Sequence, residues 1–161
     1  MVARILISIF GFFIVIAAAV YFFVSSVVNQ KYTFEEQARQ WAGERTRIAQ
    51  IDQIAEYRGK QAYTVVMGKD ADGKGLIAWM TPDETVVDPT DGIVSEEDVK
   101  QTALAAFPNG EIVHAVPGID GYLRFWEILV IDKDGLYNYA YYDLHTGKLI
   151  KSYRLNPSAI S

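Results

Sequence analysis

"GKDADGKGLIAW", residues 68–79, decides how the rest of the chain is read. Asp70-Ala71-Asp72-Gly73 is either the opening of a calcium loop or a tight turn between two strands. A calcium loop of the helix-loop-helix type needs a further oxygen ligand at its fifth position and a bidentate Glu at its twelfth. Counting from Asp70, those places hold Lys74 and Thr81. The flanks are short apolar runs rich in β-branched and aromatic residues, as strands require. Gly accepts a positive φ and Asp bonds its own backbone, so the stretch reads as a hairpin turn.

The same pattern returns 62 residues later as Asp132-Lys133-Asp134-Gly135, again between strand-like runs. This points to an internal repeat. Upstream of each copy, Thr33-Phe34-Glu35-Glu36 and Ser95-Glu96-Glu97-Asp98 place a hydroxyl residue three positions before an acid, the pattern of a capping box. Phe34, Ala38, Trp41, Ala42 and Ile48 then follow helical spacing in the first copy. Val99, Ala103, Ala106 and Phe107 do so in the second, before Pro108-Asn109-Gly110 stops the helix. Strands are expected over 51–57, 62–67 and 76–80, then over 111–117, 122–131, 136–143 and 148–155. Helix followed by antiparallel strands, twice, is an α+β architecture with one helix covering one face of each sheet. The expected division is 1–30, 31–92 and 93–161. Units of about 60 residues are marginal alone, so the two should pack together.

Residues 5–28 contain no charged side chain. As a helix this run would be roughly 36 Å long, enough to cross a hydrocarbon layer of about 30 Å. A secretory signal has a shorter apolar region, on the order of 7–15 residues, so the run reads as an uncleaved signal-anchor in the lipid bilayer. Arg4 precedes it and Lys31 and Arg39 follow, a weak topological signal; the expected orientation leaves the short stub inside and the remainder extracytoplasmic. All 20 acids and every base except Arg4 lie beyond the span, leaving that part more negative than the −5 of the whole chain. Nucleic acid is therefore not an expected partner.

Cysteine is absent, which removes lipoprotein anchoring and disulfides. The two histidines, His114 and His145, are 31 residues apart. His114 shares strand parity with Ile112 and Val116 and reads as a packed or interface residue, and His145 as a solvated turn residue. Glu35-Glu36 and Glu96-Glu97 are helical neighbours whose side chains diverge, and first-turn acids complement the helix dipole. No catalytic, metal or cofactor site is expected.

"YDLHTGKLI", with Asp143, Thr146, Gly147 and Lys148, resembles the strand-turn-strand ending of PepSY domains. "YRGKQAYTVVMGKDADGKGLIAWM" resembles the first repeat of the TseB/YpmB family of Gram-positive bacteria, and the resemblance extends over essentially the whole chain, anchor included. The first copy departs from the pattern, holding Met80-Thr81-Pro82-Asp83-Glu84 where the second has 143–147, and so reads as degenerate. The resemblance implies a cystatin-like fold for each unit, an extracytoplasmic membrane-tethered location, and a role in cell-wall elongation through a penicillin-binding protein as partner.

In the resembled pattern Trp126, Ile128, Val130, Ala140 and Tyr142 face the helix. Tyr137, Tyr139 and Tyr141 then face outward with Leu129 and Ile131, forming a stripe suited to partner binding, since tyrosine offers contact area at small entropic cost. The alternative for the stripe is packing against the first unit or forming part of the core. For the protein, the expected role is a non-catalytic adaptor that binds a wall-synthesis enzyme. The alternatives are a peptidase-inhibitor-like or peptide-binding module and a wall-glycan-binding module.

Overall fold

The structure is a computed structural model describing residues 2–156; the side chains of residues 2–13 and 27–30 lie outside the description. Helix α1 (Val2–Arg45) is followed by β1 (Gln50–Arg58), β2 (Ala62–Lys69), β3 (Gly75–Met80) and β4 (Thr85–Pro89). Then come α2 (Glu96–Ala106), β5 (Glu111–Asp120), β6 (Leu123–Ile131), β7 (Tyr137–Asp143) and β8 (Leu149–Leu155). The strands form two four-stranded antiparallel sheets, ordered β1-β2-β3-β4 and β5-β6-β7-β8. Residues Met1–Gln40 form one compact unit and Trp41–Ser161 another, which contains both sheets.

The N-terminal helix is long and apolar enough to cross a membrane, and Val20, Tyr21, Phe22 and Phe23 are all exposed on it. The expected span of 5–28 lies within it, although part of that span falls on side chains outside the description. No new helix starts at Thr33. Residues 27–32 contain neither Gly nor Pro, so nothing interrupts the hydrogen-bond ladder, and the apolar segment runs straight into the amphipathic one. Glu36, three residues after Thr33, is the expected capping acid; within the continuous helix its neighbour Glu35 forms an i,i+4 pair with Lys31 at 4.0 Å. In α2 the predicted cap is present: the Ser95 side chain accepts a hydrogen bond from the Asp98 backbone N–H at 3.1 Å. Val99 and Ala103 are its buried face.

Both D-x-D-G stretches are hairpin turns built alike. Asp70 Oδ1 accepts from the N–H groups of Asp72 and Lys74, both at 2.9 Å, while Asp132 Oδ1 accepts from those of Asp134 and Leu136, both at 3.0 Å. Gly73 (φ 81°) and Gly135 (φ 76°) take the left-handed conformation that glycine permits. The 62-residue offset persists into the next turn, pairing Thr81 with Asp143. Thr81 Oγ1 accepts from the N–H of Asp83 (3.3 Å) and Glu84 (3.0 Å), as Asp143 Oδ1 does from His145 (3.2 Å) and Thr146 (2.7 Å). The first copy is thus degenerate in sequence yet keeps the side-chain cap, while its backbone closes on the Glu84 carbonyl where the second closes on that of Lys148. Beyond Thr81 comes β4, which sequence reading missed; its five residues, ending at Pro89, disguise a strand.

The two sheets share a core. Tyr57, Tyr63, Val65, Ile77 and Trp79 from the first join Val116, Ile119, Phe125 and residues under α2 in one buried cluster. Trp79 donates from Nε1 to the Pro117 carbonyl at 3.0 Å, a buried bond between sheets. Arg124 lies over the Trp79 ring at 5.3 Å and donates from Nε to Asp88 at 2.6 Å. Each sheet therefore completes the other, as the small size of each predicted.

Candidate partner-binding face

Strand alternation gives β6 and β7 two chemically distinct faces. On the face toward α2, Trp126, Ile128, Val130, Ala140 and Tyr142 are at most 2% exposed, and Trp126 Nε1 donates to the Val94 carbonyl at 3.0 Å. The opposite face carries the tyrosine stripe in three cross-strand rows. Ile131, Tyr137 and Leu155 make the outermost; Leu129, Tyr139 and Tyr153 the next; Glu127, Tyr141 and Lys151 the third.

These rows are not equally open. Tyr137, Tyr139 and Ile131 are half-buried, whereas Leu129, flanked by His114 and Tyr139, is 7% exposed. Tyr141 is held by its neighbours: its ring meets Phe125 edge-on at 5.3 Å and Tyr153 at 6.0 Å, and Tyr57 of the first sheet meets Phe125 at 5.5 Å. The Lys151 ammonium lies 4.6 Å from the Tyr141 ring centre and 5.4 Å from that of Tyr153. The inner end of the stripe is therefore tied into the shared core, and the outer two rows form the open part.

Sequence parity placed the five stripe residues together but passed over Glu127, which lies between Phe125 and Leu129 on the same face. Its carboxylate is buried, 3.2 Å from His114 Nε2, and accepts from the Tyr141 hydroxyl. Burial and then this bond push the Tyr141 phenol well above its ordinary value. Burial, followed by the Glu127 charge, pushes Tyr57 up to about 12. Both hydroxyls stay protonated, and that of Tyr141 serves as a donor to Glu127. His114 does not share its face with Ile112, as simple alternation implied. A register shift between Ile112 and His114 aligns Ile112 with Val130 and His114 with Leu129, so the bulge swings the histidine onto the tyrosine face. His145 is exposed in its turn, as expected. Among the described residues no group of three His, Asp or Glu side chains is placed to hold a metal.

Two family matches divide the chain between the sheets. Residues 37–81 match the "Cell wall elongation regulator TseB-like domain", and residues 93–153 match the "Peptidase propeptide and YPEB domain", PepSY. The chain carries a TseB-like domain followed by a PepSY domain. It is 29% identical to the "Probable cell wall elongation regulator TseB" of Bacillus subtilis (strain 168) over 146 residues, 86% of each chain. It is also similar to the solved structure of the YpmB protein from Bacillus subtilis, with a TM-score of 0.61, 27% identity, and coverage of 73% of this chain and 94% of that one. Apart from Leu155, the tyrosine face lies within the PepSY match, and the TseB-like match ends at Thr81, where its turn begins. Homology to a cell wall elongation regulator supports a regulatory role, and the N-terminal apolar helix is a candidate membrane anchor.

Proposed function

We propose that this chain is a non-catalytic, membrane-tethered regulator of cell-wall elongation whose extracytoplasmic part docks a membrane-anchored wall-synthesis enzyme of the penicillin-binding class. The relative that spans 86% of both chains supports the regulatory part of this reading. The observation that carries the docking part is the open outer half of the tyrosine face. Tyr137 and Tyr139 are half-buried, with the buried Leu129 beside Tyr139 across the strand pair, so they form a partly open aromatic patch on a packed sheet. Such patches suit protein contacts, where tyrosine is enriched.

Tyr141 belongs to the shared packing, so the informative variant changes only Tyr137 and Tyr139 to Ser. Full-length chain is purified from membranes treated with a fluorescent β-lactam, which marks penicillin-binding proteins covalently. A labelled enzyme should travel with the unaltered chain and be lost from the Y137S/Y139S variant at equal membrane level. Equal recovery with both chains moves the docking face elsewhere, and absence of any labelled enzyme overturns the partner class.

A further inference from the structure

We propose that β8 is a capture edge for an extended, acidic segment of a partner protein, which adds to the second sheet as a fifth strand. The four strand edges of the molecule differ in how they are closed. The first sheet ends in β1, which carries a register shift between Ile51 and Gln53, and in the short β4, which ends in Pro89 and whose Asp88 is held by Arg124. At the other end of the second sheet, the Pro117 carbonyl of β5 is taken by Trp79, and proline has no N–H to offer. These are the usual means of blunting an edge.

β8 is different. Among the described residues it has a strand neighbour on one side only, and all seven of its residues are exposed. An antiparallel edge strand directs alternate N–H and C=O groups away from its partner, ready to pair with another chain. Its one register shift lies near its start, where Tyr142 pairs with Leu149 and Tyr141 with Lys151; from Lys151 to Leu155 the strand is regular. Leu149, Ile150, Tyr153 and Leu155 are exposed apolar or aromatic side chains along it.

Charge selects the occupant. No Asp or Glu follows Asp143 in the sequence, whereas Lys148, Lys151 and Arg154 do, within a chain of net charge −5. Lys151 shares the tyrosine face, while Arg154 shares the opposite face with Asn138 and donates to its Oδ1 at 3.1 Å. Arg154 also lies 3.7 Å from Asp132, yet its side chain remains 62% exposed. Cations thus flank the edge on both faces, and an incoming strand meets one at either parity. A second copy of this chain would bring its own β8 cations into the same seam, so like charges disfavour self-pairing. This inference stands apart from the penicillin-binding reading, because it uses backbone and cations where that one uses Tyr137 and Tyr139.

The test uses full-length chain in nanodiscs of neutral phosphatidylcholine and a capped hexapeptide of alternating glutamate and valine. The glutamate peptide should bind at least tenfold more tightly than its glutamine analogue. Methylating alternate peptide nitrogens should abolish binding, and amide exchange should slow across 149–155 but not across 50–58. The K148E/K151E variant should lose binding while exchange elsewhere is unchanged. If that variant misfolds, the N-methylated peptide decides the matter on the unaltered chain. The proposal is overturned if no peptide binds at millimolar concentration, if N-methylation has no effect, or if protection appears away from β8. It is also overturned if β8 becomes protected with protein concentration alone, which would make a second copy the occupant.

Discussion

Positions 62 residues apart hold Ile77 and Tyr139, and Trp79 and Tyr141, on corresponding faces of the two sheets. Ile77 and Trp79 are fully buried; Tyr139 and Tyr141 are only half so. The same backbone plan, with the same hairpin chemistry, has therefore been given two different faces. In the first sheet the face is spent on the core shared between sheets, and its side chains are those a dry core accepts. In the second the corresponding face is covered at its Phe125 end, where the Tyr141 hydroxyl turns to the buried Glu127, and Tyr139 beyond it stays half-exposed. A repeat that packs asymmetrically leaves one face over, and that remainder is where binding has room to arise.

The strongest way to break this comparison is to truncate the matched aromatic pair. Trp79→Ala removes a fully buried ring and its bond to Pro117, and should destabilise the domain by about 3–5 kcal/mol. Tyr141→Ala, on a half-buried ring, should cost about 2 kcal/mol, part of it from leaving Glu127 with one donor fewer. Urea titrations followed by circular dichroism give both values. If the two substitutions cost the same, the faces are energetically equivalent and the asymmetry carries no meaning.

The turn pair gives a smaller effect with a pH signature. Hydrogen bonds from the side chain and then the backbone of Thr146 hold the Asp143 carboxyl below its ordinary value, and the Asn138 amide, first among several donors, does the same for Asp132. Groups whose folded value is lowered contribute stability that is complete above the unfolded value, near 4, and is lost as pH falls through the folded one. Stability should therefore decline as pH falls below about 4. Asp143→Thr, which borrows the hydroxyl used by the first sheet at Thr81, should flatten part of that decline while costing about 1 kcal/mol at pH 7. An unchanged acid profile would mean that the Asp143 bonds do not matter to folding.

Most of this was legible in the sequence for a physical reason: turns and alternation are local. The two D-x-D-G hairpins, the Ser95 cap and the division of β6 and β7 into two faces each rest on residues within a few positions of one another. What escaped depended on distant contacts or on irregular backbone. Whether a new helix starts at Thr33 depends on what precedes it, and the apolar helix did not stop before it. His114 changed face because of a bulge that no residue type announces. The closure of the stripe at Tyr141 depends on Tyr57 and Phe125, brought together only by packing of one sheet on the other. Glu127 alone carried a readable signal, a carboxylate at an outward parity among apolar neighbours, and it had been missed.

The smallest expected effect sharpens the comparison most, because it isolates what the two copies share. Gly73 and Gly135 both have φ near 80°, and a Cβ added at either would meet nothing within 4 Å. Substitution by Ala therefore introduces no clash, only the cost of holding an L-residue in the left-handed region, about 1 kcal/mol at each site. Local chemistry predicts equal penalties, since Asp70 and Asp132 make the same pair of backbone bonds. Asp132, however, also accepts from Asn138 at 3.0 Å and lies beside Arg154, the cation at the open edge. If Gly135→Ala costs clearly more than Gly73→Ala, the excess measures how firmly the second turn is wired to the β7–β8 edge. Equal costs, read from paired urea titrations, would confine each turn to its own hairpin and leave the asymmetry of the molecule entirely to its faces.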